Sequence, residues 1–151
     1  TEPTYTLSLS GTDAAQFEID ANNQLKLKST ISADYEEKDR YAVTVTATGL
    51  ESNIIAFESD FTLTVTDVNE APTDIVLSSL TIKENSKGAI VGTLSVTDPD
   101  KNDSHSLALS GLDSSQFEIV NNQLKLKSGF SADYETKSSY SVGVTATDSG
   151  A

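Results

Sequence analysis

The sequence predicts an all-β protein made of tandem β-sandwich repeats, and three observations carry that prediction. Apolar and polar residues alternate with a period of two, the alternating runs are short and rich in Thr and Val, and much of the first half of the chain returns in the second. Helical three-four spacing of apolar residues is nearly absent.

The repeat sets the domain organisation. "LSLSGTDAAQFEI" at 7–19 returns as "LALSGLDSSQFEI" at 107–119, and "NNQLKLKSTISADYEEKDRYAVTVTAT" at 22–48 returns as "NNQLKLKSGFSADYETKSSYSVGVTAT" at 121–147. The period of about 100 residues is the size of an immunoglobulin-like sandwich domain. The chain then spans about one and a half periods, and the second copy lacks a counterpart of "FESDFTLTVTDVNEAP". Five strands are expected in 1–66 and six in 73–151.

Within the copies, Tyr41, Val43, Val45 and Ala47 alternate with Ala42, Thr44 and Thr46, and Phe61, Leu63 and Val65 alternate with Thr62 and Thr64. Each is the pattern of a strand with one buried face, so Phe61 is expected inside. "QFEI" and "QLKLK" are joined through Asn22-Asn23 and Asn121-Asn122, and Asn tolerates the positive φ of tight hairpin turns. Tyr35 and Tyr134, Tyr41 and Tyr140, and Phe17 and Phe117 occupy matching places, which suits core packing.

Composition narrows the function. With 151 residues and 36% hydrophobic content, thin two-layer cores are expected. The 23 acids against 10 bases give a net charge of -13, which argues against nucleic acid or an anionic membrane as partner and makes cations the natural counterpart. There is no Cys to form a disulfide, no apolar run of membrane-spanning length, and no signal-peptide pattern at the start.

The acids gather at strand ends. Asp67 and Glu70 lie at the exit of the first copy, Asp98 and Asp100 in "TDPDKND" end the second strand of the next, Asp34 and Glu36 in "ADYE" lead into a late strand, and Asp148 ends the equivalent strand of the second copy. Ca²⁺ takes six to eight oxygens from carboxylates, Asn amides and backbone carbonyls, and this seam offers all three.

The same residues carry a family resemblance over nearly the whole chain. "DVNEAP" resembles the interdomain linker of cadherin repeats, "DPD" their Asp-x-Asp, "DYE" their Asp-Arg-Glu, "KEN" their strand-A Glu-Asn and "VTATD" their late-strand Asp, all in order and in the form found in bacterial surface proteins. The resemblance implies tandem immunoglobulin-like Greek-key sandwiches: repeat 1 over 1–66 without its first two strands, a calcium-binding linker over 67–72, and repeat 2 over 73–151 without its last strand. It also implies Ca²⁺ at the junction, bound by Asp34, Glu36, Asp67, Asn69, Glu70, Asp98, Asp100 and Asp148, with the Val68 carbonyl, Asn102 and Asp103 as further candidate oxygens. Glu84, Asp133 and Glu135 match motifs that would serve a next junction, as half a site. The linker is one residue shorter than the vertebrate form, and Gly49 stands in the first copy where the second has Asp148.

The implied function is that of a calcium-stiffened segment of an extracellular adhesin, exposed at the cell surface or secreted. Seven acids at one joint repel each other until divalent ions offset them. Unpaired sandwich edges would invite homophilic or strand-swapped dimers. The alternative is calcium-dependent binding of a polysaccharide, against which stands the lack of Trp. An EF-hand is excluded because position six of "DPDKND…" is Asp103 rather than Gly and position twelve is Leu109 rather than Glu. Catalysis has little to build on: the single His, His105, is expected in an exposed structural role, and triads and zinc sites lack parts.

Overall fold

Alternation decides the sheets. A computed structural model describes residues 5–50 and 56–150, and the chain divides into two compact units, Thr1–Val68 and Asn69–Ala151. Among the described residues the first unit has five strands, β1 (Tyr5–Ser10), β2 (Phe17–Ile19), β3 (Leu25–Leu27), β4 (Arg40–Gly49) and β5 (Ala56–Thr64). The second has six, β6 (Asp74–Leu77), β7 (Ile90–Thr97), β8 (His105–Ser110), β9 (Phe117–Val120), β10 (Gln123–Leu126) and β11 (Gly143–Asp148). Both counts match the alternating pattern. A 3-10 turn of three residues precedes β2 and β9.

In the first unit the sheet β1-β4-β5 lies over the hairpin β2-β3. Their shared core is Phe17, Tyr41 and Val43, with Leu9, Leu25, Leu27, Leu63 and Val65 packed around it. In the second unit the four-stranded sheet β6-β7-β10-β9 and the pair β11-β8 form the two layers of a sandwich. Val91, Leu94, Phe117, Leu124 and Leu126 are buried between them. Tyr41 meets Phe17 edge-on at 5.4 Å, and Tyr140 meets Phe117 the same way at 5.8 Å. The hairpin turns use Asn as expected, with positive φ at Asn23, Asn121 and Asn122. Two consecutive positive-φ residues make the 121–122 turn the two-residue type that twisted strands prefer.

Both repeats turn into their 3-10 segment through a glycine, Gly11 at φ +98° and Gly111 at φ +96°. A Cβ on Gly111 would stand 3.1 Å from the Ser141 carbonyl oxygen. Two residues later comes a buried acid, Asp13 or Asp113, only 4% and 6% exposed. Its N–H donates to the Ala42 or Ser141 carbonyl at 3.2 Å, and its carboxylate accepts the Ala42 or Ser141 N–H at 2.7 Å and the ammonium of Lys38 or Lys137. The same ammonium lies over the Tyr41 or Tyr140 ring, at 5.0 and 5.1 Å. The lysine, and after it the backbone N–H, holds each carboxyl below the usual carboxylate range.

The repeats differ in what covers them. Leu124 and Leu126 are buried, whereas the matching Leu25 and Leu27 are half-buried, because β7 pairs with β10 and no strand among the described residues does so for β3. Conversely Tyr41 and Val43 are buried while Tyr140 and Val142 are half-buried, because β5 pairs with β4 and no strand among the described residues takes that place beside β11.

Three aromatic expectations are corrected. Phe61 is 45% exposed, since the small hairpin layer reaches only as far as Leu63 and Val65. Tyr35 and Tyr134, 39% and 66% exposed, lie in turns outside the strands and do not pack in the core.

Candidate metal centre

The exit of β7 and the start of β8 belong to neighbouring layers, so the loop between them carries its acids across one end of the second unit. The first acid, Asp98, folds that loop locally: its Oδ1 accepts the Asp100 N–H at 2.9 Å, an Asx turn that the Asp-x-Asp spacing permits. Asn102 takes a positive φ of 70°, which reverses the chain toward β8. Asp103 then presents Oδ1 to the Ser104 N–H at 2.7 Å and the Ser149 hydroxyl at 3.2 Å. Its Oδ2 is buried and has no hydrogen-bond partner.

The second oxygen of Asp98 lies 2.8 Å from His105 Nε2, with side-chain exposures of 4% for Asp98 and 14% for His105. This corrects the expectation of an exposed histidine: the first residue of β8 faces the loop instead of solvent. Its hydrogen bond is the main reason that the Asp98 carboxyl is held below the ordinary range, and burial opposes it. One ligand atom each from Asp98, Asp103 and His105 lies within 4.8 Å of the others.

Other expected residues converge on the same end. Register places Asp148 opposite His105 across β11 and β8, where its Oδ1 accepts the Gly150 N–H at 3.0 Å. The Glu70 N–H donates to Asp100 Oδ2 at 2.8 Å, and the Asn69 side-chain amide donates to the Glu70 carbonyl at 3.4 Å. Lined by Asp98, Asp100, Asn102, Asp103 and His105 among others, the loop encloses a groove of about 670 Å³. In the first unit Asp34 is exposed and caps a turn by accepting the Glu37 N–H at 3.0 Å. Glu36 is half-buried, and Asp67 and Val68 are exposed at the unit's end.

Glu84, Asp133 and Glu135 stand apart from this group, near the start of β7 rather than its exit, and their ligand atoms lie within 4.8 Å of one another. Asp133 Oδ1 accepts the N–H groups of Glu135 and Thr136, and Glu84 accepts the Tyr134 N–H at 3.2 Å. The side-chain hydroxyl of Thr136, first among these bonds, holds the Asp133 carboxyl low.

A hard, oxygen-seeking cation fits the β7–β8 end on one direct observation. A buried carboxylate oxygen without a donor is costly, and a cation beside it would offset that cost. The sequence reading placed Asp98 and Asp103 here but missed what His105 touches. It also missed the two buried acid–lysine pairs, which were signalled by the recurrence of Asp13 as Asp113 and Lys38 as Lys137.

Comparison with known proteins agrees with this architecture. Residues 78–151 match the cadherin domain family. Human protocadherin gamma-A6 is 30% identical over 146 residues, covering 89% of this chain and 16% of that protein. Human protocadherin Fat 4 is 28% identical over 151 residues, 97% of this chain and 3% of that protein. The chain thus spans a small part of the relatives that it matches. Among solved structures, a protocadherin gammaB7 cis-dimer superposes with a TM-score of 0.71 at 30% identity, covering 97% of this chain and 36% of that one. Mouse cadherin-23 superposes at 0.72 with 21% identity, covering 97% and 48%, a likeness of fold. The chain therefore has the cadherin-like β-sandwich fold, with residues 78–151 matching the cadherin domain itself.

Proposed function

We propose that this chain is a calcium-binding, cadherin-like segment of an extracellular adhesin, in which Ca²⁺ at the junction between the units stiffens the array. The ligands assigned are Asp34, Glu36, Asp67, Asn69, Glu70, Asp98, Asp100 and Asp148, with Asp103 added and the Val68 carbonyl and Asn102 as further oxygens. His105 is a positioning residue that orients Asp98. A bacterial surface setting rests on the form of the motifs, including the short linker.

The observation that carries the reading is the buried, partnerless Asp103 Oδ2 beside Asp98. Divalent ions would offset the gathered charge and turn a flexible joint into a rod. The module binds and spaces; it is not an enzyme. Self-association is part of the proposal, since the gammaB7 protocadherin structure is described as a cis-dimer.

Isothermal calorimetry of Ca²⁺ into chelator-treated protein tests it. Saturable binding at roughly 0.1–1 mM, the range of extracellular calcium modules, is expected, and it should vanish when Asp98→Ala and Asp100→Ala are combined. Absence of binding at several times that range, or binding unchanged in the double variant, would overturn the assignment.

A further inference from the structure

The β7–β8 loop ends on the one imidazole of the chain. His105 is the only histidine in 151 residues, and there is no cysteine. β1 begins with Tyr5 where β8 begins with His105, Tyr5 standing opposite Gly49 and His105 opposite Asp148. The second unit therefore carries a nitrogen donor that the matching strand of the first does not.

Three side chains meet around it. One ligand atom each from Asp98, Asp103 and His105 lies within 4.8 Å of the others, and all three residues are partly withdrawn from solvent. Each carboxylate is fixed through one oxygen: Asp98 Oδ1 accepts the Asp100 N–H at 2.9 Å, and Asp103 Oδ1 accepts the Ser104 N–H at 2.7 Å. Backbone donors of this kind orient a ligating carboxylate. The second oxygens are not held by the backbone. Asp98 Oδ2 lies 2.8 Å from His105 Nε2, and Asp103 Oδ2 is buried without a partner. Two ligands at right angles around a zinc-sized ion, each about 2.0–2.1 Å from it, lie about 2.9 Å apart. The oxygen and the imidazole nitrogen are thus already spaced as neighbours in such a shell.

We infer that Asp98, Asp103 and His105 form a site for a divalent transition ion of the zinc class. His105 Nε2 gives its lone pair to the ion, with the ring proton on Nδ1, while Asp98 and Asp103 give one carboxylate oxygen each. Water completes the shell from the groove beside the loop, whose lining includes Asn102 and Ser104 as well as the three ligands. The nitrogen selects the ion, since imidazole suits zinc and its neighbours whereas Ca²⁺ takes oxygen. Three protein ligands without a thiolate make an open site rather than the closed, four-ligand kind that holds a fold together. Asp98 and Asp103 are also assigned to Ca²⁺, so the two ions compete for them. The inference does not rest on the calcium reading, because all three residues belong to the second unit.

The test uses the tag-free full chain with ¹⁵N-labelled histidine, stripped with chelator and moved to calcium-free buffer. Because His105 is the single histidine, its ring nitrogens report on one side chain. Zn²⁺ should move the Nε2 resonance to a metal-bound position and saturate at an equimolar ratio, and Ca²⁺ should not produce that shift. His105→Gln keeps an N–H donor for Asp98 but offers no lone pair. It should lose the equimolar zinc step in calorimetry while its Ca²⁺ affinity stays that of the parent. Zinc that leaves the ring nitrogen unmoved, or that binds His105→Gln as tightly, would overturn the site and reduce the cluster to hydrogen bonding. So would the absence of saturable zinc binding. A ring shift with zinc and no binding of Ca²⁺ would uphold this site and overturn the calcium reading alone, so the two failures are read separately.

Discussion

Nε2 of His105 lies 2.8 Å from Oδ2 of Asp98, so the first side chain of β8 is tied to the acid that directly follows β7. Both side chains are largely shielded from solvent. Groups that orient a ligand usually change metal affinity by ten- to a hundredfold. His105→Phe should therefore weaken Ca²⁺ binding by about tenfold while leaving the strand content intact by circular dichroism. Unchanged calorimetric affinity would mean that the contact serves packing alone.

Asp103 makes an opposing demand in the absence of metal. Its Oδ2 is buried without a donor, and an amide in its place carries no charge to leave uncompensated. Asp103→Asn should raise the melting temperature in chelator and reduce the upward shift on adding Ca²⁺. A lower melting temperature in chelator would show that the charge is already compensated.

The buried acids Asp13 and Asp113 predict an acid limb. Their folded pKa values lie below the ordinary one, chiefly through the lysine and the backbone N–H. A group depressed in this way adds stability above its unfolded pKa, near 4, and that stability is lost as pH falls through the folded value. Melting temperature should thus drop below about pH 4. The drop should be shallower in a combined Asp13→Asn, Asp113→Asn variant, which starts from a lower plateau at pH 7. Parallel curves would exclude these two groups as the cause.

Among the described residues Lys137 is the only cation bonded to Asp113, so Lys137→Met leaves a shielded carboxylate with its backbone donor alone. Removing one partner of such a pair costs more than the pair contributes. The melting transition of the second unit should fall by about 5–15 °C. A shift under about 2 °C would show that water replaces the ammonium.

Leu126 and Leu27 are the same residue in two repeats but not in the same environment, 1% exposed against half-buried. Leu126→Ala should cost about 3–5 kcal/mol and Leu27→Ala about 1–2 kcal/mol in urea unfolding. Equal costs would mean that something other than β7 decides the burial.

Much of the fold was legible. Arg40 to Val43 alternate between exposed and buried because one face of β4 packs on the core, and Asn121-Asn122 turns because those residues accept positive φ at little cost. Asp98, Asp100, Asp103 and Asp148 were legible as an end-of-strand group because order along a sandwich fixes which loops share an end. Phe61 misled because alternation reports which face of a strand a residue takes, not whether a second layer reaches that far.

By itself, the sequence determined the all-β class, the two-fold repetition, the hairpin turns and the strand-end acids. All of these follow from steric preference and from side-chain period, which are local. Only the tertiary structure decided that His105 meets Asp98, that Asp103 keeps one oxygen unpartnered, and that Leu126 is buried where Leu27 is not. Those outcomes depend on which strand lies beside which. Near-identical stretches such as 22–28 and 121–127 carry no record of whether a neighbour is present.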